Sequence, residues 1–202
     1  MRKLLFSRES HCIQPLRNLI EKQRHRTLVA WALDCAPRVL EIFEKKYPEE
    51  QRPRQALETA AAWARGEVKM PEAKKAIHAA HNAATALEGD YAAQAAARAA
   101  GHAAATVHVE THALGLVFYG LTAFVYASDS NETNDRIKKE LKWFYDRLIY
   151  WEVNIDKLDT RWAPFLMRDD LPNKELLLRQ KAALKQKKYN LGDCSVAFEQ
   201  EN

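Results

Sequence analysis

Residues 91–119 are the segment that most restricts how this chain can fold. The segment reads YAAQAAARAAGHAAATVHVETHALGLVFY, with alanine at most positions of its first half. Alanine is the best helix former because its side chain loses no rotational entropy in a helix. A helix of alanines is also thin, so neighbouring helices can approach it closely. We therefore expect this segment to lie at the centre of a bundle of helices.

The pattern of apolar residues elsewhere in the chain predicts an all-α protein. Ile137, Leu141, Phe144 and Leu148 recur at spacings of three and four, which places them on one face of a helix. No segment alternates between apolar and polar residues over the length of a strand. We predict a single domain over residues 1–202, with six to eight helices packed as antiparallel hairpins around an alanine-rich central pair of helices.

Turn and capping residues mark the expected helix boundaries. Gly66 and Gly89 each follow a helical pattern at the position where a residue with positive φ ends a helix. Asp90 precedes the alanine run as an N-cap. The alanine helix is expected to reach about Val109, and Thr111 is expected to cap a second helix. One long helix through this region is the alternative.

Positive charge is concentrated at the two ends of the chain, whose net charge is +4. Residues 1–26 carry seven basic and two acidic residues, and residues 174–188 carry six basic residues and one acidic residue. We expect a core over about residues 15–156, a basic helix over 174–188 and a loosely held tail at 190–202. Because no basic surface crosses the centre, we do not expect a nucleic-acid partner. A nucleic-acid-associated helical protein that uses its basic ends is one alternative.

The cysteines and the absence of long apolar runs indicate a cytoplasmic protein. Cys12, Cys35 and Cys194 are odd in number and far apart, and they form no CxxC pair, which suits a reducing compartment. The N-terminus lacks the apolar run of a signal peptide. No segment approaches the roughly 20 apolar residues that a membrane-spanning helix needs. The expected location is therefore the cytoplasm, with no membrane partner.

Five histidines are the candidates for chemistry. His108 and His112 are four residues apart and share a face if their helix is unbroken, and His78 or His81 on the neighbouring helix would have to supply a third metal ligand. The HExxH pattern is absent. The favoured interpretation is that His102, His108 and His112 are packed and hydrogen-bonded without a metal, near His78 or His81. A metal-dependent or small-molecule-processing enzyme that uses these five histidines is the other alternative.

The helix expected to begin at His25 carries structural residues rather than a nucleophile. Trp31 and Cys35 are expected in the core, and Asp34 is expected to pair with Arg38 one turn later. The whole sequence lacks a GxSxG motif and a phosphate-binding loop. We therefore expect neither enzymatic activity nor a cofactor.

Charged and aromatic side chains supply the candidates for partner binding. Arg52 and Arg54 lie at a helix start, where the helix N-terminus attracts anions. Salt bridges to acidic residues of the same loop are the favoured interpretation of both arginines. Trp63 and Arg65 complete the set, because tryptophan is enriched in interface hot spots, although a core position is the commoner fate of this residue.

Three segments resemble a bacterial family of immunity proteins. They are residues 25–40 (HRTLVAWALDCAPRVL), residues 52–66 (RPRQALETAAAWARG) and residues 97–113 (ARAAGHAAATVHVETHA), and the likeness covers about residues 25–126. Proteins of this family are similar to the antidote half of polymorphic toxin systems. The resemblance implies binding to a cognate toxin protein in the cytoplasm, with no catalytic residues. Trp162 and the helix over 135–155 are the candidates for contact in a homodimer.

Overall fold

The computed structural model describes residues 4–129 and 131–193, with side chains described as far as residue 186. Within these ranges the chain forms eight α-helices and no strand, which confirms the all-α prediction. No described helix is long and apolar enough to span a membrane. Three short 3₁₀ helices lie in the connections, at His11–Ile13, Ile155–Lys157 and Pro164–Met167. The α-helices are α1 (Gln14–Ile20), α2 (His25–Glu44), α3 (Arg52–Ala64), α4 (Met70–Ala86), α5 (Tyr91–Ala105), α6 (His112–Ala127), α7 (Thr133–Asn154) and α8 (Lys174–Asp193).

The helices end where turn and capping chemistry predicts. Gly66 and Gly89 have φ angles of 77° and 84°, which L-residues with side chains rarely adopt. The carboxylate of Asp90 accepts a hydrogen bond from the backbone N–H of Ala93 at 3.1 Å, so Asp90 is the N-cap of α5. Short connections of this kind place consecutive helices antiparallel to each other.

The alanine-rich region forms two helices, but their boundary differs from the prediction. α5 ends at Ala105 instead of near Val109, because β-branched residues follow it and the Thr106 hydroxyl turns back to the carbonyl of His102 at 3.1 Å. Thr111 holds the N-cap position of α6, yet its side chain makes no capping hydrogen bond. A connection over residues 106–111 therefore separates the two helices.

α5 lies at the centre of the core. Twelve of its fifteen residues are buried, and it packs against α2, α3, α4 and α6, with the most extensive helix contact to α6. The predicted central pair is therefore α5 and α6, but only α5 is rich in alanine, since α6 has three alanines among its 16 residues. Because the alanine side chains of α5 are short, four helices can pack against it at once.

Trp31 of α2 fastens α7 to this core, as its predicted core position requires. Its side chain is fully buried, and its ring packs edge-on against Phe144 with 5.9 Å between centroids. Its indole Nε1–H donates to the backbone carbonyl of Phe144 at 2.9 Å. One residue therefore provides both an apolar contact and a hydrogen bond between α2 and α7.

The predicted ion pair between Asp34 and Arg38 is wrong. Asp34 instead accepts from Arg147 at 2.5 Å and from the indole of Trp151 at 2.9 Å. Arg38 pairs with the fully buried Glu140 through two bonds of 2.7 and 3.0 Å. Both changes have one cause: α7 crosses α2 and brings charged groups to both residues from a distant part of the chain.

The segment after α7 returns to the bundle. The N–H of Ala163 donates to the carbonyl of Ala64 at 2.8 Å, and the Asn173 side chain donates to the carbonyls of Ile20 and Gln23 at 3.0 Å each. Trp162 is half-buried and packs against the core. The homodimer remains a prediction, and exposed apolar side chains lie on α7 and also on α8, where they are Leu178 and Leu184.

The start of α8 is tied to the N-terminal region by buried charge. Glu175 is fully buried and pairs with Arg8 at 2.8 Å and with Arg17 at 3.3 Å. Every described side chain from Leu178 to Gln186 is exposed. The first turn of α8 is therefore part of the folded body, and the rest of the described helix extends over its surface.

α8 is longer than the predicted basic helix over 174–188, since it continues to Asp193. Residues 190–193 of the predicted tail are therefore helical. The rest of that tail, including Cys194, lies outside the described residues.

Candidate functional site

The structure separates the five candidate histidines. His81, His102 and His112 meet where α4, α5 and α6 pack together, and we call these three residues the histidine cluster. His108 lies in the connection between α5 and α6, and His78 is exposed on α4. Because His108 precedes α6, it does not share a helical face with His112. The unbroken helix on which a shared face of these two residues depends is therefore absent here.

The histidine cluster is held by ring contacts and one hydrogen bond. The Nδ1 atoms of His102 and His112 are 3.1 Å apart, so one of them donates and the other accepts. The His102 ring stacks on Tyr119 with 5.0 Å between centroids and meets the edge of His81 at 5.4 Å. His102 is thus the central ring of the group.

Two glycines make the space that these rings occupy. A Cβ added at Gly115 would overlap the ring of His102, and one added at Gly101 would stand 2.6 Å from Cε1 of His81. Real side chains do not tolerate such distances. In the sequence Gly101 precedes His102 within the alanine run, and Gly115 follows His112 by three residues.

Burial keeps the histidine cluster uncharged. It lowers the pKa of His102 from 6.5 to about 3, with a further contribution from the charges of His112 and His81. Burial also lowers the pKa values of His81 and His112 themselves. The described residues contain no group of three or more His, Cys, Asp or Glu arranged to hold a metal ion. The geometry of the cluster is that of neutral, packed imidazoles.

The three candidate arginines each pair with a nearby glutamate. The bonds are 2.8 Å or shorter and run through two nitrogens of each guanidinium, a strong arrangement for a carboxylate. All three arginines therefore already have a charged partner within this chain. The pairs are Arg52 with Glu50, Arg54 with Glu44 and Arg65 with Glu67.

Trp63 is a buried residue whose ring contacts two residues at the protein surface. It is 5 % exposed, and its ring lies between His108, at 6.1 Å, and Phe165, at 5.6 Å. Burial lowers the pKa of His108. Cys35 is fully buried, and burial raises the pKa of its thiol well above 9.0, so it is a poor nucleophile.

One concave feature of the described surface was not predicted from the sequence. It is a cleft of about 610 Å³, within the range of roughly 300–1,000 Å³ that is typical of ligand sites. Residues 21–25 form one wall, the segment from Phe165 to Arg179 forms the other, and Glu110 of the connection between α5 and α6 lies between them. We call it the Glu110 cleft.

The arginines that line the Glu110 cleft are bound to carboxylates. These contacts fix the walls of the cleft and leave the arginines little capacity to attract an anion. Arg24 pairs with Asp156 at 2.7 Å and with Asp169 at 3.4 Å, Arg179 pairs with Glu21 at 2.8 Å, and Arg168 pairs with Asp170 at 3.1 Å.

Glu110 differs from these carboxylates because no arginine among the described residues pairs with it. It is 6 % exposed, and its Oε2 has no hydrogen-bond partner in the described part of the chain. The nearest cationic groups are Nδ1 of His25, 3.8 Å from Oε1, and Nζ of Lys174, 3.8 Å from Oε2. Both distances exceed those of hydrogen bonds. Sequence reasoning missed this site because its walls come from distant segments, and the only signal was a carboxylate between histidines.

The comparisons with known proteins show the family of the chain. The model of the family described as "Imm-5 like putative immunity protein" matches residues 18–150. The comparisons with curated proteins and with solved structures give no match. The matched range includes the histidine cluster and Glu110 but ends before Phe165, so the second wall of the cleft lies outside it. Because the match covers more than half of the 202 residues, the chain belongs to the Imm-5 like family of immunity proteins.

Proposed function

We propose that this protein neutralises a cognate bacterial toxin in the cytoplasm by binding it stoichiometrically, with no catalysis of its own. The observation that carries the proposal is the family match over residues 18–150. An immunity protein of this kind acts by covering the active site of its toxin. Such binding requires a surface of complementary shape and charge.

The architecture suits a binding protein. A tight complex buries about 1,600 Å² in total, with a few aromatic or arginine anchors that supply most of the binding energy. The closely packed α5 core and the ion pairs across helices hold the surface in one shape. A preformed surface loses less conformational entropy on association. We therefore expect the interior to hold the surface in shape and the surface residues to recognise the toxin.

The family match gives no support to the two alternatives, an enzyme built on the histidines and a nucleic-acid-associated protein. A titration separates a binding antidote from an enzymatic one. Toxin activity should fall linearly as antidote is added and should reach zero at one antidote per toxin. Loss of activity at far smaller amounts of antidote would show turnover and contradict the proposal.

Co-expression tests the function in cells. The toxin gene next to the gene of this protein is expressed alone, with this protein, and with an unrelated small helical protein as the control. We expect survival only with this protein, together with recovery of a complex by pull-down. Death of the cells despite soluble antidote, or failure to recover a complex, would refute the immunity assignment.

A further inference from the structure

The buried position of the Glu110 carboxylate is unfavourable for the stability of the fold. A buried carboxylate normally accepts several hydrogen bonds, because the loss of its water would otherwise destabilise the folded state. Here Oε2 has none from the described residues. By contrast, the buried Glu140 and Glu175 each receive arginine nitrogens at 2.8 Å or closer. Glu110 therefore differs from the structural carboxylates of the same protein.

The tautomer of His25 gives a second reason to regard the site around Glu110 as a binding site. Its Nε2 lies 2.7 Å from the carbonyl oxygen of Thr106, and a carbonyl oxygen only accepts, so Nε2 carries a proton. In the neutral ring Nδ1 is then an acceptor, and it faces Oε1 of Glu110 at 3.8 Å. Two acceptors at this separation leave room for one donor that lies about 2.9 Å from each of them. The pair is thus arranged to receive an N–H group.

The cleft around this pair fits a long side chain with a cationic end. Phe165, Leu171 and Leu176 supply apolar wall, and Glu110 supplies a carboxylate that no arginine among the described residues binds. Arginine has an apolar stem and a planar head with five donors, which can bind a carboxylate and a second acceptor at once and can pack on an aromatic ring. The arginines of the cleft wall are already paired. An arginine that binds Glu110 must therefore come from outside this chain.

We propose that the Glu110 cleft is the recognition pocket of this protein and that it takes an arginine side chain of the toxin. This inference rests on the proposed function. Arginine is among the residues that dominate binding when they fill a pocket in an interface. One wall of the cleft lies inside the family-matched residues 18–150 and the other lies outside them. The outer wall, from Phe165 onward, is thus the part that selects among partners.

Lys174 holds the pocket in the unbound protein. Its ammonium group lies 3.8 Å from Oε2 of Glu110, and its side chain is about half exposed, so it can turn out to solvent. An incoming guanidinium replaces it at the carboxylate. Removal of this lysine charge should therefore strengthen the binding of an arginine group.

The first test uses N-acetyl-arginine methylamide as the probe and the citrulline analogue, which is neutral and nearly the same shape, as its control. The His25 ring signals are followed by nuclear magnetic resonance. We expect saturable shifts with the arginine probe and none with citrulline. Glu110→Gln should weaken probe binding about tenfold or more, as loss of a charge-assisted hydrogen bond implies. Glu88→Gln, at an exposed position outside the cleft, should change nothing.

Two further variants keep the test decisive. Lys174→Met should raise probe affinity, and Lys181→Met on the exposed part of α8 should not. Glu110→Gln should melt no lower than the wild type, because it removes a buried charge whose Oε2 accepts no hydrogen bond from the described residues. The absence of saturable binding to the wild type, equal binding of citrulline, or unchanged binding to Glu110→Gln would each overturn the proposal.

The toxin complex then separates this inference from the proposed function. We expect Glu110→Gln to weaken the complex about tenfold or more while Glu88→Gln leaves it unchanged. If the wild type and Glu110→Gln bind the toxin equally well, the pocket assignment fails and the immunity function stands. If the wild type takes the arginine probe but binds no toxin, the immunity function fails and so does the partner named here.

Discussion

At the scale of single residues, Gly115 leaves the space that the ring of His102 occupies. An added methyl group at Gly115 would overlap the His102 ring and displace it from Tyr119 and from its bond to His112. We expect Gly115→Ala to lower the free energy of unfolding by about 1–3 kcal/mol, the usual cost of overpacking. Urea denaturation measures this change.

The origin of that cost can be tested in a second background. If the clash is with the ring, Gly115→Ala should cost less when His102 is already alanine, with a coupling of at least about 0.5 kcal/mol between the two sites. Equal costs in the two backgrounds would show that the methyl group meets something else.

The half-buried histidines of the cluster also determine how stability depends on pH. The pKa of His102 is about 3 in the folded protein against 6.5 for the free side chain, and those of His81 and His112 are lowered as well. Between these values the unfolded chain binds protons that the folded protein does not. Their contribution to stability is therefore complete above pH 6.5 and is lost as the pH falls toward 3.

Urea denaturation at pH 7 and at pH 5 checks this dependence. His102 alone should account for a loss of up to about 2 kcal/mol over that interval, at about 1.4 kcal/mol per pH unit below 6.5. The lowered carboxylate pKa values belong to groups with free values of 4.5 or below, so they act mainly at lower pH. His102→Gln should reduce the loss, with His78→Gln at an exposed position as the control. An unchanged pH dependence in His102→Gln would contradict the assignment.

At the scale of helices, α5 shows why alanine is required at its centre. Ala100 is 1 % exposed and lies in the helix that contacts α2, α3, α4 and α6. Ala100→Leu should force these helices apart and destabilise the fold by about 1–3 kcal/mol. Ala182→Leu, at an exposed position of α8, should leave the melting temperature nearly unchanged. Similar melting temperatures for both variants would mean that α5 does not set the helix spacing.

Trp31 tests the contact between α2 and α7. Trp31→Ala removes a fully buried ring together with its hydrogen bond to the Phe144 carbonyl, and we expect a loss of about 3–5 kcal/mol. Trp31→Phe keeps most of the apolar contact and should cost less. Chemical denaturation of both variants checks this order, and equal losses would show that the hydrogen bond dominates.

The helices are predictable from the sequence, but the partners that bring them together are not. Apolar spacing and the residues Gly66, Gly89 and Asp90 locate the helices and several of their ends, because these signals act within a few residues. Asp34 and Arg38 could not be assigned correctly, because the groups that bind them belong to α7. Sequence spacing predicts a pair between Asp34 and Arg38, which are opposite charges one turn apart. In the folded protein, charged residues of α7 bind both of them instead.

At the scale of the whole molecule, the same limit explains why the candidate site escaped sequence reasoning. The histidines attract notice because they are close together in the sequence, and three of them do meet in the fold. The Glu110 cleft is assembled from the connection before α2, the connection before α6 and the segment after α7. The spacing of residues in the sequence does not predict that three such segments meet in the fold. The sequence therefore indicated the interior cluster and not the surface feature beside it.

Hydrogen exchange of the toxin complex locates the interface on the whole molecule. In the connection over residues 106–111, the N–H groups of Glu110 and Thr111 make no backbone hydrogen bond to the described residues, and the segment over 164–173 contains only a short 3₁₀ helix, so these amides should exchange quickly in the free protein. If the toxin binds at the Glu110 cleft, both segments should become protected in the complex. The helix start with Arg52 and Arg54 and the turn after Arg65 serve as the internal control, because each arginine there is already paired with a glutamate. Protection at that control surface, with none at the two cleft segments, would place the interface on the candidate arginines and move recognition away from Glu110.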